Sequence, residues 1–199
     1  LFTEDIVSQT LPYLPAWPEL ATIYRAPTLT LGKALSGGNN IVITGADGIG
    51  KTVALAHLAS LAANHDARLG ELNEIVPFLV HAADLSLPAH DPKDILNPLI
   101  DAASEHVSFL DFGRFAGFVQ YSFKNGNALL LLDGFDELTQ EGQQVITDFL
   151  KTLLEAYPLA RVVATALPEQ VGGLLELNFA PLSLMGWDSS RQTEFLHKW

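Results

Sequence analysis

The chain has 199 residues, 48% of them hydrophobic and 17% charged, enough for one well-buried core with at most a short appendage. Its formal charge of −12 repels phosphate backbones and anionic lipid, which argues against nucleic acid and membrane surfaces as partners. Cysteine is absent, which excludes a disulfide framework and a thiolate metal site and fits a reducing, cytoplasmic setting.

Residues 1–38 mix short helical signals with Pro12, Pro15, Pro18 and Pro27, and the turn residues "SGGNN" close the segment. The N-terminal "LFTEDIVSQTL" carries acid rather than base and has no signal-peptide pattern. From residue 40 strand and helix signals alternate. "NIVIT" is a β-branched run that predicts a buried strand, and "KTVALAHLASLAANH" has helical spacing. "EIVPFLVHAA" predicts a second strand, weakened near its start by Pro77. "DPKDILNPLIDAASEHV" predicts a helix capped by Asp91 and kinked at Pro98, and "DFGRFAGFVQYSFKNGN" a further helix closed by Asn125-Gly126.

"ALLLLDG" then predicts a third strand, and its Ala128–Leu132 is the longest apolar run, far below the ~18 residues of a membrane helix. "TQEGQQVITDFLKTLLEAY" is an amphipathic helix with Pro158 past its end, "ARVVATA" a fourth strand, and "LELNFAPLSL" supplies a fifth. "WDSSRQTEFLHKW" starts a last helix with Asp188 or Ser189 as cap. The alternation predicts an α/β fold with a mostly parallel sheet covered on both faces. The chain begins without methionine and stops inside a helical pattern, so it reads as a piece of a longer protein.

Gly45-Ala46-Asp47-Gly48-Ile49-Gly50-Lys51-Thr52 fits G-x-x-x-x-G-K-[ST], a Walker A loop between a strand and a helix. Glycine-permitted backbone points successive N–H groups at phosphate oxygens, and the following helix, which runs on through Val53, adds its positive end. Lys51 is placed to reach the β- and γ-phosphates of a nucleotide, and the Thr52 hydroxyl to ligate Mg²⁺. Such a site needs an acid on another strand end. Asp133 closes the third strand, as in a Walker B element, and is the expected Mg²⁺-side carboxylate. Asp136 and Glu137 follow within a turn, and three acids this close repel one another unless a cation sits among them. Both are candidates for a hydrolytic role, against the alternative of a solvated acidic turn capping the next helix.

On "GADGIGKT" and, more narrowly, on "LLLLDGFDEL", the chain resembles the NACHT NTPases of the STAND class of P-loop signalling ATPases. The resemblance implies a three-layer α/β/α P-loop NTPase fold with a five-stranded sheet of order 5-1-4-3-2. It implies a division into residues 1–38 leading into the site, 39–182 as the NTPase core and 183–199 as the start of a helical domain. It implies ATP/ADP and Mg²⁺ as cofactors, adenine contacts near Ile23–Pro27, and a switch between a closed monomer and an oligomer. Sensor and effector regions would lie outside this chain. The family's fourth strand usually ends in T-S-R-P, whose arginine reads the γ-phosphate, whereas this chain has Thr165-Ala166-Leu167-Pro168. Leucine carries no charge and donates no hydrogen bond, so the expected activity is weak ATP hydrolysis. The alternatives are an AAA+-like motor ATPase and a P-loop kinase for a small acceptor.

The remaining polar candidates are weaker. His57, His65, His81, His90, His106 and His197 lack metal-binding spacing and read as structural or surface residues. Trp17, Trp187 and Trp199 read as core or interface anchors. Arg114 and Arg161 are possible phosphate ligands, although lone arginines on such elements are commonly surface residues.

Overall fold

The central strands of this chain are apolar runs with no polar face to turn to water, and the structure covers them on both sides. The computed structural model describes residues 31–72, 74–88, 94–104, 107–108, 110–184, 193 and 196–197. The elements in chain order are α1 (Leu31–Ser36), β1 (Ile41–Thr44), α2 (Lys51–Ala63), β2 (Val76–His81), α3 (Asn97–Ser104), α4 (Phe112–Asn125), β3 (Ala128–Asp133), α5 (Gln140–Ala156), β4 (Arg161–Ala166), α6 (Gly172–Glu176) and β5 (Ala180–Ser183). The sheet order is β2-β3-β4-β1-β5, and all four pairings are parallel. Read from the other edge, this is the expected 5-1-4-3-2.

Alternation along the strands divides the core. Ile41, Ile43, Leu129, Leu131 and Val163 pack with Leu35 of α1 and Leu55, Leu58 and Ala62 of α2. Val42, Leu130, Leu132, Val162 and Ala164 point the other way and join Leu99 of α3, Val119 and Phe123 of α4, and Ile146, Phe149, Leu150 and Leu153 of α5. Residues 129–132 of β3 are fully buried, as a central strand sandwiched by helices requires. Pro77 and Pro181 sit in β2 and β5, the two edge strands, where a missing N–H can face away from the ladder.

The structure departs from the expected elements in three places. Pro98 is the second residue of α3 and starts the helix rather than kinking it, because a first-turn N–H has no intrahelical acceptor to lose. The stretch expected as one fifth strand is divided, with Leu175 and Glu176 ending α6 and Asn178 turning the chain at φ 61° into β5. A short 3₁₀ segment at Ala67–Leu72 had no sequence counterpart. Asp91, Ile23–Pro27, the three tryptophans and the cap at Asp188 or Ser189 lie outside the described residues. Among the described residues, no helix is long and apolar enough to cross a membrane.

Candidate functional site

Parallel strands bring all their C-terminal ends to one edge, so one residue from each meets there. Register places Thr44 of β1 between Ala166 of β4 and Ser183 of β5, and His81 of β2 beside Asp133 of β3. The loop of residues 45–50 leaves this edge and turns into α2. Gly48 and Gly50 adopt φ 74° and 104°, the left-handed region that disfavours side chains. A Cβ at either would meet nothing within 4 Å, so conformation rather than space calls for glycine there. Gly45 is the reverse case: a Cβ would lie 2.7 Å from Ile49 Cγ2. The Ile49 N–H donates to the Ala46 carbonyl at 3.3 Å, closing the loop.

The N-terminus of α2 behind Gly50 carries no side-chain cap, and amides in its first turn have no intrahelical acceptor. Uncapped amides beside two left-handed glycines and a lysine fit a phosphate group. Thr52 and Val53 are exposed on that first turn, and the Asp47 side chain is 87% exposed.

Lys51 is 9% exposed, and its ammonium is satisfied within the chain. Nζ donates to the Gly45 carbonyl at 2.9 Å and the Ala46 carbonyl at 3.4 Å, and pairs with Asp136 Oδ2 at 3.1 Å. The Asp136 side chain is only 9% exposed, so this pair is largely desolvated, and Asp47 Oδ1 stands 3.9 Å from the same nitrogen.

Each of the three clustered carboxylates has its own side-chain partner. Asp133 Oδ1 accepts from Thr165 Oγ1 at 2.7 Å, and that hydroxyl accepts from the Gly134 N–H at 3.2 Å. Asp136 takes the lysine of the loop. Glu137, with a side chain 70% exposed, faces His81 Nε2 at 3.5 Å. Gly134, at φ 71°, opens the 3₁₀ turn Phe135–Glu137 that carries the two later acids, and its bare Cα lies against the His81 ring. Among the described residues, no group of three or more His, Asp or Glu side chains could hold a metal ion by itself. An Mg²⁺ ion would need the oxygen donors Thr52 and Asp133 together with phosphate oxygens, a hard donor set that suits it.

Two residues at this edge were not singled out as functional from the sequence. His81 ends an apolar strand, as Asp133 does, and Thr165 lies one residue before the end of another; that position near a strand end is the signal that could have found them. Arg161 belongs elsewhere. It is the first residue of β4, at the opposite edge of the sheet, and its Nη1 donates to the Leu35 carbonyl at 3.2 Å. Six residues at ~3.3 Å each separate that end from the loop side, so Arg161 does not read a phosphate there. Leu167 follows β4 directly, half-buried at the C-terminal edge, in the place where the resemblance expects arginine.

None of the curated proteins matches the chain. Among known families, the model for the NACHT domain matches residues 39–199, from two residues before the first strand to the end of the chain. With most of its length matched and a five-stranded parallel sheet carrying the loop at the expected edge, the chain belongs to the NACHT domain family of P-loop NTPase signalling modules.

Proposed function

We propose that the chain is the nucleotide switch of a larger cytoplasmic signalling protein, binding ATP or ADP with Mg²⁺, hydrolysing ATP slowly and coupling nucleotide state to self-association. In this reading residues 1–38 lead into the site, 39–182 form the NTPase core and 183–199 begin a helical domain. Sensor and effector regions lie outside the chain. The observation that carries the reading is the Lys51–Asp136 pair, because it joins the phosphate loop to the acidic turn through one buried contact.

The loop from Gly45 to Gly50, with Ala46, Asp47, Gly48 and Ile49 between, presents its amides to the phosphates, and Val53 continues the helix that frames them. Lys51 exchanges Asp136 for a phosphate oxygen, trading one anionic partner for another so that the buried ammonium stays compensated. Thr52 and Asp133 hold Mg²⁺, whose charge, when it is bound, offsets that of the phosphates. Thr165 fixes one oxygen of Asp133 and leaves the other free to coordinate. Release from Lys51 turns Asp136 toward the reacting water, and Glu137 is the more accessible acid to take its proton. Leu167 adds no charge where phosphoryl transfer would gain from one, which supports slow turnover.

Calorimetry with Mg-ATP and Mg-ADP on the chain, with Lys51→Ala as control, tests the binding half. Equal affinity in wild type and Lys51→Ala would remove the phosphate-loop assignment. Size-exclusion mobility of the full-length protein with ADP against a non-hydrolysable ATP analogue tests the switch, and identical elution in both would remove the coupling to assembly.

A further inference from the structure

We infer that His81 is a positioning residue for Glu137, holding that carboxylate in one orientation over the acidic turn; the inference rests on the assignment of Glu137 as proton acceptor. Three contacts carry it. The Ala83 N–H donates to His81 Nδ1 at 3.3 Å, so Nδ1 is an acceptor and the neutral ring carries its proton on Nε2. Nε2 is the atom that faces Glu137 Oε2, at 3.5 Å, so the turn after β2 sets the tautomer that can donate to Glu137. The ring also lies directly on Gly134, where any Cβ would collide with Nε2, Cε1 and Cδ2. Gly134 begins the Phe135–Glu137 turn, so one side chain touches both the hinge of that turn and its last acid.

Burial does not explain the arrangement. The His81 and Glu137 side chains are 34% and 70% exposed, and a polar contact so open to water adds little stability. What it can add is direction. An exposed glutamate samples many rotamers, and a base is effective only when aimed at the proton it takes. His81, Asp84 and Asp133 line a cleft of about 340 Å³ beside the turn, so Asp84 and Asp133 are the other acids near the ring.

The test measures steady-state ATP hydrolysis and ATP affinity of the 199-residue chain as wild type, His81→Ala, His81→Asn, His81→Gln and Glu137→Gln. Glutamine places an N–H donor near the position of Nε2, and asparagine places one near Nδ1. His81→Ala and His81→Asn should lower kcat about tenfold or more, within the range for general-base effects. KM, ATP affinity and Tm should stay unchanged. His81→Gln should return kcat to within about threefold, and His81→Ala added to Glu137→Gln should lower it no further. If Glu137→Gln lowers kcat and His81→Ala does not, the positioning role is wrong and the assignment of Glu137 stands. If Glu137→Gln turns over like wild type, both are wrong. Nitrogen NMR of the wild-type imidazole decides the case independently of turnover and of any variant that fails to fold. The Nε2–H tautomer, with a resonance that moves in Glu137→Gln, is expected, and the Nδ1–H tautomer overturns the inference.

Discussion

Replacing Lys51 with alanine should damage the protein twice, and the two effects can be separated. The ammonium lies 3.1 Å from Asp136 Oδ2, with both side chains about nine-tenths buried. At an effective dielectric of 20, that distance corresponds to a gross attraction of about 5 kcal/mol, much of it offset by the desolvation of both ions. Lys51→Ala leaves the Asp136 carboxylate buried without a cation and removes the donor from the Gly45 and Ala46 carbonyls. Stranding one partner of a buried pair costs about 3–5 kcal/mol, which for a domain of this size lowers Tm by roughly 6–12 °C at the smaller figure. The same substitution removes a charge-assisted contact to nucleotide phosphate worth about 2–3 kcal/mol, or about 30- to 150-fold in affinity. The double variant Lys51→Ala/Asp136→Ala removes the stranded charge. It should recover at least ~2 kcal/mol of the stability while nucleotide affinity stays low. Scanning calorimetry and titration calorimetry on wild type, Lys51→Ala, Asp136→Ala and the double variant measure both quantities. A double variant no more stable than Lys51→Ala would refute the claim that the pair is a desolvated, mutually compensating contact.

Three further outcomes are expected. Asp133→Asn should bind Mg-ATP about as weakly as wild type does with EDTA, because both remove one ion bridge. Thr165→Val, which loses the 2.7 Å hydrogen bond that fixes Asp133 and the one accepted from the Gly134 N–H, should fall between Asp133→Asn and wild type in titration calorimetry; wild-type affinity in both variants would clear Asp133 of a metal role. Leu167→Arg should raise the ATP/ADP affinity ratio or the hydrolysis rate by restoring a contact worth about 1.5–3 kcal/mol, and a wild-type ratio already above about 100-fold, equivalent to ~2.7 kcal/mol, would show that the leucine is no defect. The Asp66 carboxyl, hydrogen-bonded first by the Arg68 side chain and then by its backbone N–H, is held down to about 2 from 3.8. A depressed carboxyl stabilises the fold above its unfolded pKa and loses that contribution as pH falls from about 3.8 through about 2, so carbon NMR should find the Asp66 midpoint near 2 and a higher one in Arg68→Ala.

What could be read from the sequence is what lies close together in it. The loop from Gly45 to Thr52 encodes its geometry in eight consecutive residues, and an apolar run ending in an acid marks a strand end wherever the strand sits. The five-residue α6 is too short for a helical period to show, and the late start of α3 follows from Pro98, which suits a first turn as well as a kink. The pairings at the site are of a different kind. Lys51 with Asp136, Thr165 with Asp133 and His81 with Glu137 all join residues from separate strands or loops, and each depends on which strand lies beside which. Strand direction alone, however, already excluded one candidate: the first residue of a parallel strand faces the edge away from the loop, so Arg161 could not serve where Leu167 stands.

The same pairings bear on how the site responds to a ligand. Three acids within five residues would splay apart if left to one another, yet an ammonium from α2, a hydroxyl from β4 and an imidazole from β2 each hold one of them. The acidic turn is thus held by contacts within the chain, from groups that a phosphate would engage unequally. In the proposed reading Lys51 changes partner and Thr165 does not, and His81 ends β2, the edge strand, with β3 and β4 between it and the strand that leads into the loop. Under the proposed function a phosphate at the loop would compete with Asp136 for Lys51. Because Asp136 and Glu137 ride on the one turn Phe135–Glu137, a change at the first acid would reach the second through that turn.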